Sequence, residues 1–143
     1  MHEMPPNDIQ TTNSEAWIGF DLDATLADSE DGQPYHPLRI GPPIPLMVDR
    51  AKSLLESGMN IRILTARAEP HGNQDIPQSE ILHAIEQWCL THLGQIVPVT
   101  ACKDYNMIRF YDDRAIQVEP NTGMLSVDVA YAQGVEDGYA QRR

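Results

Sequence analysis

The feature that most restricts this chain is an alternation: short apolar runs that stop at polar residues, separated by helical stripes. Ala16-Trp17-Ile18-Gly19-Phe20 runs into Asp21, Ile61-Arg62-Ile63-Leu64 into Thr65, and Met107 to Tyr111 into Asp112-Asp113. Ile96 to Thr100 is a further run, trailed by Lys103. Runs this short with polar ends read as strands buried in a sheet. Between the first two, Met47, Val48, Ala51, Leu54 and Leu55 fall on one stripe of a helix from Ile44 to Ser57, with Gly58 as its stop. Ile81, Leu82, Ile85, Trp88, Cys89 and Leu93 form a second stripe ending near Gly94. Strand, helix, strand, helix, strand predicts an α/β fold, a single Rossmann-like domain with a mostly parallel sheet over residues 15–143.

The remaining segments carry other signals. Residues 1–14 are polar and proline-bearing and read as a loose leader; without an apolar centre they do not fit a secretory signal. Gly32, Pro34, Pro37, Gly41, Pro42 and Pro43 exclude a regular helix over 27–43, which reads as a long loop or flap. Ala115 to Val127 turns at Asn121-Thr122-Gly123 in the manner of a hairpin, and Asp128 to Arg143 reads as a last helix or a frayed end. At 143 residues, one core is expected, with no need of a disulfide or structural metal. Two cysteines, Cys89 and Cys102, are too few for a disulfide scaffold, so a reduced, cytoplasmic protein is expected. No apolar run is long enough to span a bilayer. The net charge of −11 repels polyanions, which disfavours nucleic-acid backbones and anionic membranes as partners. A small phosphorylated substrate remains compatible, provided a cation or a lysine offsets the acidic groups.

In an open parallel sheet, ligands bind beyond the carboxyl ends of the strands. Asp21, Asp23 and Thr25 follow the first run, Thr65 the second, Lys103 the third and Asp112-Asp113 the fourth. Parallel strands bring all of them to one edge. Asp21 and Asp23 are two apart in an extended segment, so their carboxylates share a side while Leu22 faces the core. With Asp112 or Asp113, three or four carboxylates meet, and protonation or a cation relieves their repulsion. Hard oxygen ligands with no histidine or cysteine in register favour Mg²⁺. A metal, a nucleophilic carboxylate, a second carboxyl able to shuttle a proton, and hydroxyl and ammonium donors together make a phosphoryl-transfer site.

The string Asp21-Leu22-Asp23-Ala24-Thr25 resembles the first motif of the haloacid dehalogenase (HAD) superfamily, most of whose members are Mg²⁺-dependent phosphatases. Thr65 in I-L-T-A-R, Lys103 in C-K-D-Y and Asp112-Asp113 in F-Y-D-D-R follow in that family's order, so the resemblance covers residues 16 to 114. Each string is weak alone; the set in order, each after a strand, is specific. The resemblance implies that Asp21 attacks phosphorus to form an aspartyl-phosphate, while Asp23 protonates the leaving oxygen and later activates water. It implies that Thr65 and Lys103 hold the phosphoryl oxygens, with Lys103 also offsetting the charge on Asp21. Mg²⁺ would be bound by the Asp21 carboxylate, the main-chain carbonyl of Asp23, and Asp112, with Asp113 as ligand or support. One departure is Ala24, where the family commonly has Gly; with fewer backbone angles open to it, Ala24 is expected to keep φ negative.

Neither the interval from Thr25 to the second strand nor that from Thr65 to Lys103 has room for a cap domain, so a small capless member is expected. The flap, with Tyr35, His36 and Arg39, is then the source of substrate contacts. An open site suits a large phosphorylated partner, or a small substrate enclosed by a second copy in a homo-oligomer. The alternative is a non-catalytic relative that binds a phosphate ligand or a partner protein. Blander roles compete residue by residue: Thr65 as a cap of the next segment, Arg67 and Arg114 as structural ion pairs or substrate contacts, Cys89 and Cys102 as small buried side chains. The histidines lack metal-ligand spacing.

Overall fold

The computed structural model describes residues 15–70 and 75–128 of the chain. The expected leader and the segment from 129 onward lie outside the described residues. By its internal contacts the chain divides into two compact units, with the division falling between Asp113 and Arg114 in the sequence.

The first unit holds the sheet. Its strands are β1 (Trp17–Phe20), β2 (Ile61–Leu64), β3 (Val99–Thr100) and β4 (Met107–Tyr111). They lie in the order β3-β2-β1-β4, and every neighbouring pair is parallel. The expected α/β, Rossmann-like architecture is thus what the chain adopts. Helices α1 (Pro45–Glu56) and α2 (Gln78–Leu93) make the two crossovers from β1 to β2 and from β2 to β3. Both move the chain the same way along the sheet, and right-handed connections then put both helices on one face. The core agrees: Ile18, Phe20, Ile61 and Ile63 from the strands cluster with Val48 and Ala51 of α1 and Ile81, Ile85, Trp88, Cys89 and Leu93 of α2. Burial of that cluster, at about 25 cal/mol per Å² of apolar surface, is the main term holding the sheet edge in shape. No described helix is long and apolar enough to cross a membrane.

Pro45 starts α1, where a missing N–H costs nothing, and Gly94 ends α2 at φ 86, a left-handed angle suited to glycine. β3 is shorter than the expected run from Ile96. Pro98 accepts a hydrogen bond from the Ile63 N–H but has none to donate, so regular pairing begins only at Val99. From Thr100 the chain reaches β4 through residues 101–106 alone. Asp104 in that passage accepts from Trp17 Nε1 (2.8 Å) and pairs with Arg62 (3.4 Å), whose guanidinium lies over the Trp17 ring. Cys102 is exposed there, not buried as expected, because this passage runs outside the helix-covered core. Cys89 is buried among apolar side chains, which pushes its thiol up to about 12 and leaves it inert.

In the second unit, the described residues form the expected hairpin-like turn. Val118 and Leu125 pair antiparallel, and Asn121 and Gly123 take positive φ between them.

Candidate functional site

All strands being parallel, their carboxyl ends share one edge, and the polar residue after each comes from the loop that leaves it. Asp21 follows β1 directly, Thr65 follows β2, and Asp112-Asp113 follow β4. The Asp21 N–H donates to the Tyr111 carbonyl (2.9 Å), and Phe20 stacks on Tyr111 with centroids 4.6 Å apart. These contacts fix the ends of β1 and β4 side by side. As a result, one carboxylate oxygen from each of Asp21, Asp112 and Asp113 lies within 4.8 Å of the others.

Three carboxylates at such spacing repel one another. Partial burial of Asp21, followed by its hydrogen bond with Asp113 and the charge of Asp112, raises its carboxyl from 3.8 to about 7. Near neutral pH this carboxyl therefore keeps a proton for much of the time, unless a cation displaces it. The donor set is all hard oxygen, which fits Mg²⁺ or Ca²⁺ and not a soft metal. Thr25, the last residue of the first motif, is buried beneath the cluster. Its hydroxyl lies 3.2 Å from Asp113 Oδ1 and 3.5 Å from Asp21 Oδ2, and so donates between the two acids.

Asp23 is held apart from this group. Both its oxygens receive hydrogen bonds from Arg67, Nε to Oδ2 and Nη2 to Oδ1, each at 2.7 Å. Such a two-pronged, charge-assisted pair adds geometric specificity to bonds roughly twice as strong as neutral ones. Arg67 stands on a short 3₁₀ turn, Ala66–Ala68, and Thr65 caps that turn by accepting from the Arg67 N–H (3.2 Å). The capping role weighed for Thr65 is present, and it leaves the hydroxyl proton free to donate. Lys103 is exposed, with no hydrogen bond or ion pair among the described residues. Its neighbour Asp104 is anchored at Trp17, the opposite end of β1 from Asp21. The structure thus brings Asp21, Thr25, Asp112 and Asp113 together, sets Asp23 beside them on Arg67, and leaves Lys103 without a contact to the group.

The backbone of the first motif corrects one expectation. Ala24 takes φ 66, not a negative angle. The turn is held by Leu22, whose carbonyl accepts from Leu26 (3.0 Å) and Ala27 (2.9 Å), and by Ala24 N–H to the Ala27 carbonyl (2.8 Å). These bonds outweigh the ~1–2 kcal/mol that a left-handed angle costs a residue with a Cβ.

The flap closes over the motif as a loop pinned at its base. Asp28 N–H donates to Pro42 (2.7 Å), Ile44 N–H to Leu26 (2.7 Å), and Trp88 Nε1 to Gly41 (2.9 Å). A Cβ on Gly41 would overlap the Asp28 carbonyl oxygen, so only glycine lets the two passes of chain approach. Higher in the loop, Arg67 Nη1 donates to the carbonyls of His36 (3.1 Å) and Pro37 (3.0 Å), and the Tyr35 ring lies 4.9 Å from its Cζ. Arg39 pairs with Glu30 (3.6 Å) and donates to the Pro34 carbonyl. Thr25 was expected at this edge without a role of its own, and Arg67 as an ion pair or a substrate contact; the ion pair is what forms, with Asp23. The D-x-D-x-T string itself signals Thr25, whereas no local pattern ties Arg67 to Asp23 and the flap.

Compared with known proteins, the chain matches no family model, no curated protein and no solved structure.

Proposed function

We propose that this chain is a Mg²⁺-dependent phosphomonoester hydrolase of the HAD type, cytoplasmic and acting on a small phosphorylated molecule. The observation that carries this reading is the gathering of Asp21, Asp112 and Asp113 at the carboxyl edge of a parallel sheet, with Asp23 oriented separately. Asp21, Asp112 and Asp113, with the main-chain carbonyl of Asp23, would hold the ion, which when bound would neutralise the acids and polarise a phosphoryl oxygen. Asp21 is the nucleophile: its free carboxylate oxygen forms a bond to phosphorus as the bond from phosphorus to the leaving oxygen breaks. Asp23 delivers the proton that the leaving oxygen needs, and then removes one from the water that attacks the aspartyl-phosphate. The Thr65 hydroxyl donates to a phosphoryl oxygen, and the resemblance assigns the Lys103 ammonium to the same group. Thr25 keeps the Asp21 and Asp113 carboxylates aligned through its hydroxyl.

One observation favours a second reading, a non-catalytic phosphate-binding protein: both Asp23 oxygens are engaged by Arg67. Turnover separates the two. The wild-type chain should hydrolyse p-nitrophenyl phosphate or a member of a phosphorylated metabolite panel, stop in excess chelator, and resume with Mg²⁺. Asp21→Asn should fall to background while remaining folded. Phosphate binding without turnover by the wild type would establish the second reading, and full activity in chelator would refute the metal.

A further inference from the structure

Arg67 spends every guanidinium nitrogen. Nε and Nη2 hold the two oxygens of Asp23, and Nη1 holds the main-chain carbonyls of His36 and Pro37 in the flap. The guanidinium is buried, and the Tyr35 ring lies over it. Its planar fork offers donors at fixed angles, so it satisfies both sets of acceptors only when flap and aspartate lie in register with one plane. A lysine has no such geometry. The flap's base is closed by independent bonds at Pro42 and Gly41, so the Arg67 contacts act higher in the loop, around Tyr35 to Pro37.

We infer that Arg67 is a positioning residue that couples the flap to Asp23, so that seating the flap and aiming the Asp23 carboxylate are one event. This rests on the reading of Asp23 as the group that serves the leaving oxygen. A carboxylate on a half-exposed side chain has several rotamers; the fork selects one. Loss of such positioning typically costs on the order of 10²-fold in rate. The effect should fall on substrates whose leaving oxygen needs a proton, and far less on those that leave unaided.

The experiment compares wild type, Arg67→Ala and Arg67→Lys with an alkyl phosphate and with p-nitrophenyl phosphate. Backbone hydrogen exchange is followed at residues 36–40 and in α2. Both variants should lose about 10²-fold in the rate of the phosphorylation step, followed by rapid quench, on the alkyl phosphate and less than tenfold on the aryl phosphate. Exchange at 36–40 should quicken at least tenfold while α2 stays protected, and added methylguanidinium should restore part of the alkyl rate to Arg67→Ala. If Arg67→Ala does not fold, as exchange in α2 will reveal, Arg67→Lys carries both measurements. Equal losses on the two substrates, or unchanged exchange at 36–40 in a folded variant, overturn the coupling. A wild-type chain that binds phosphate and turns over neither substrate instead overturns the reading of the site, and the catalytic role of Arg67 with it.

Discussion

Asp21→Asn should make the cation-free protein more stable at alkaline pH, although it removes the proposed nucleophile. In the folded state the Asp21 carboxyl is raised from 3.8 to about 7 by burial, by its hydrogen bond with Asp113 and by the Asp112 charge. The folded chain therefore binds this proton more tightly than the unfolded chain does. The sign follows by linkage: the stabilising proton is fully in place below about pH 4, and its benefit is lost as pH rises through 7. Three pKa steps at 1.36 kcal/mol each would amount to about 4 kcal/mol. Asp21 is only half-buried, and solvent screening reduces this to about 1–2 kcal/mol. Asparagine keeps the shape and cannot ionise, so above pH 8 the variant should be more stable by that amount. In a domain of this size that corresponds to a midpoint higher by roughly 3–8 °C. Thermal unfolding in chelator at several pH values between 4 and 9 measures it. The two proteins should converge at the acid end and diverge through neutrality. With Mg²⁺ at about a hundred times its dissociation constant, wild type should gain about 2.7 kcal/mol and the order should reverse. A variant no more stable than wild type at pH 8.5 in chelator, or a difference that does not change with pH, would refute the account of the cluster.

Two backbone predictions accompany it. Ala24→Gly should stabilise the fold by about 0.5–1 kcal/mol, the relief of a left-handed angle less the entropy glycine loses on folding; a lower midpoint in urea would show that the turn is not strained. Gly41→Ala should cost about 1–3 kcal/mol by forcing the flap base off the Asp28 carbonyl, read in the same denaturant series; an unchanged midpoint would place the flap elsewhere.

The sheet was legible because each of its causes is local. Apolar runs of four or five residues ending at Asp21, Thr65 and Asp112 mark the strands, and the stripes through Val48 and Ile85 mark the helices. Alternation of the two then fixes parallel order and gathers the polar ends at one edge. Legibility failed where one residue or a distant partner decides. Pro98 cuts β3 short by lacking a donor, and the short passage after it runs to an anchor at Trp17 that no spacing in the sequence reveals. Ala24 departs from its intrinsic preference because the bonds to the Leu22 carbonyl override it, and those bonds carry no sequence signal.

Arg67 shows why the site was legible only as a list of residues and not as a mechanism. Its neighbours in sequence, Thr65 and Ala68, say that it follows a strand; its partners, Asp23 and the carbonyls of His36 and Pro37, lie 44, 31 and 30 residues away. Main-chain carbonyls carry no letter in a sequence, so a contact of that kind has no pattern to read. Yet this contact separates two carboxylates that begin as near equals, two residues apart on one strand end. Asp21 is pressed against two acids and holds its proton more tightly; Asp23 is turned onto a buried cation. Unequal surroundings give like groups unlike chemistry; on the proposed reading the proton held at Asp21 would have to be displaced, as a bound cation would do, before its oxygen could attack phosphorus. That difference in surroundings between Asp21 and Asp23 is imposed from β2 and β4, not by the first motif that contains them both.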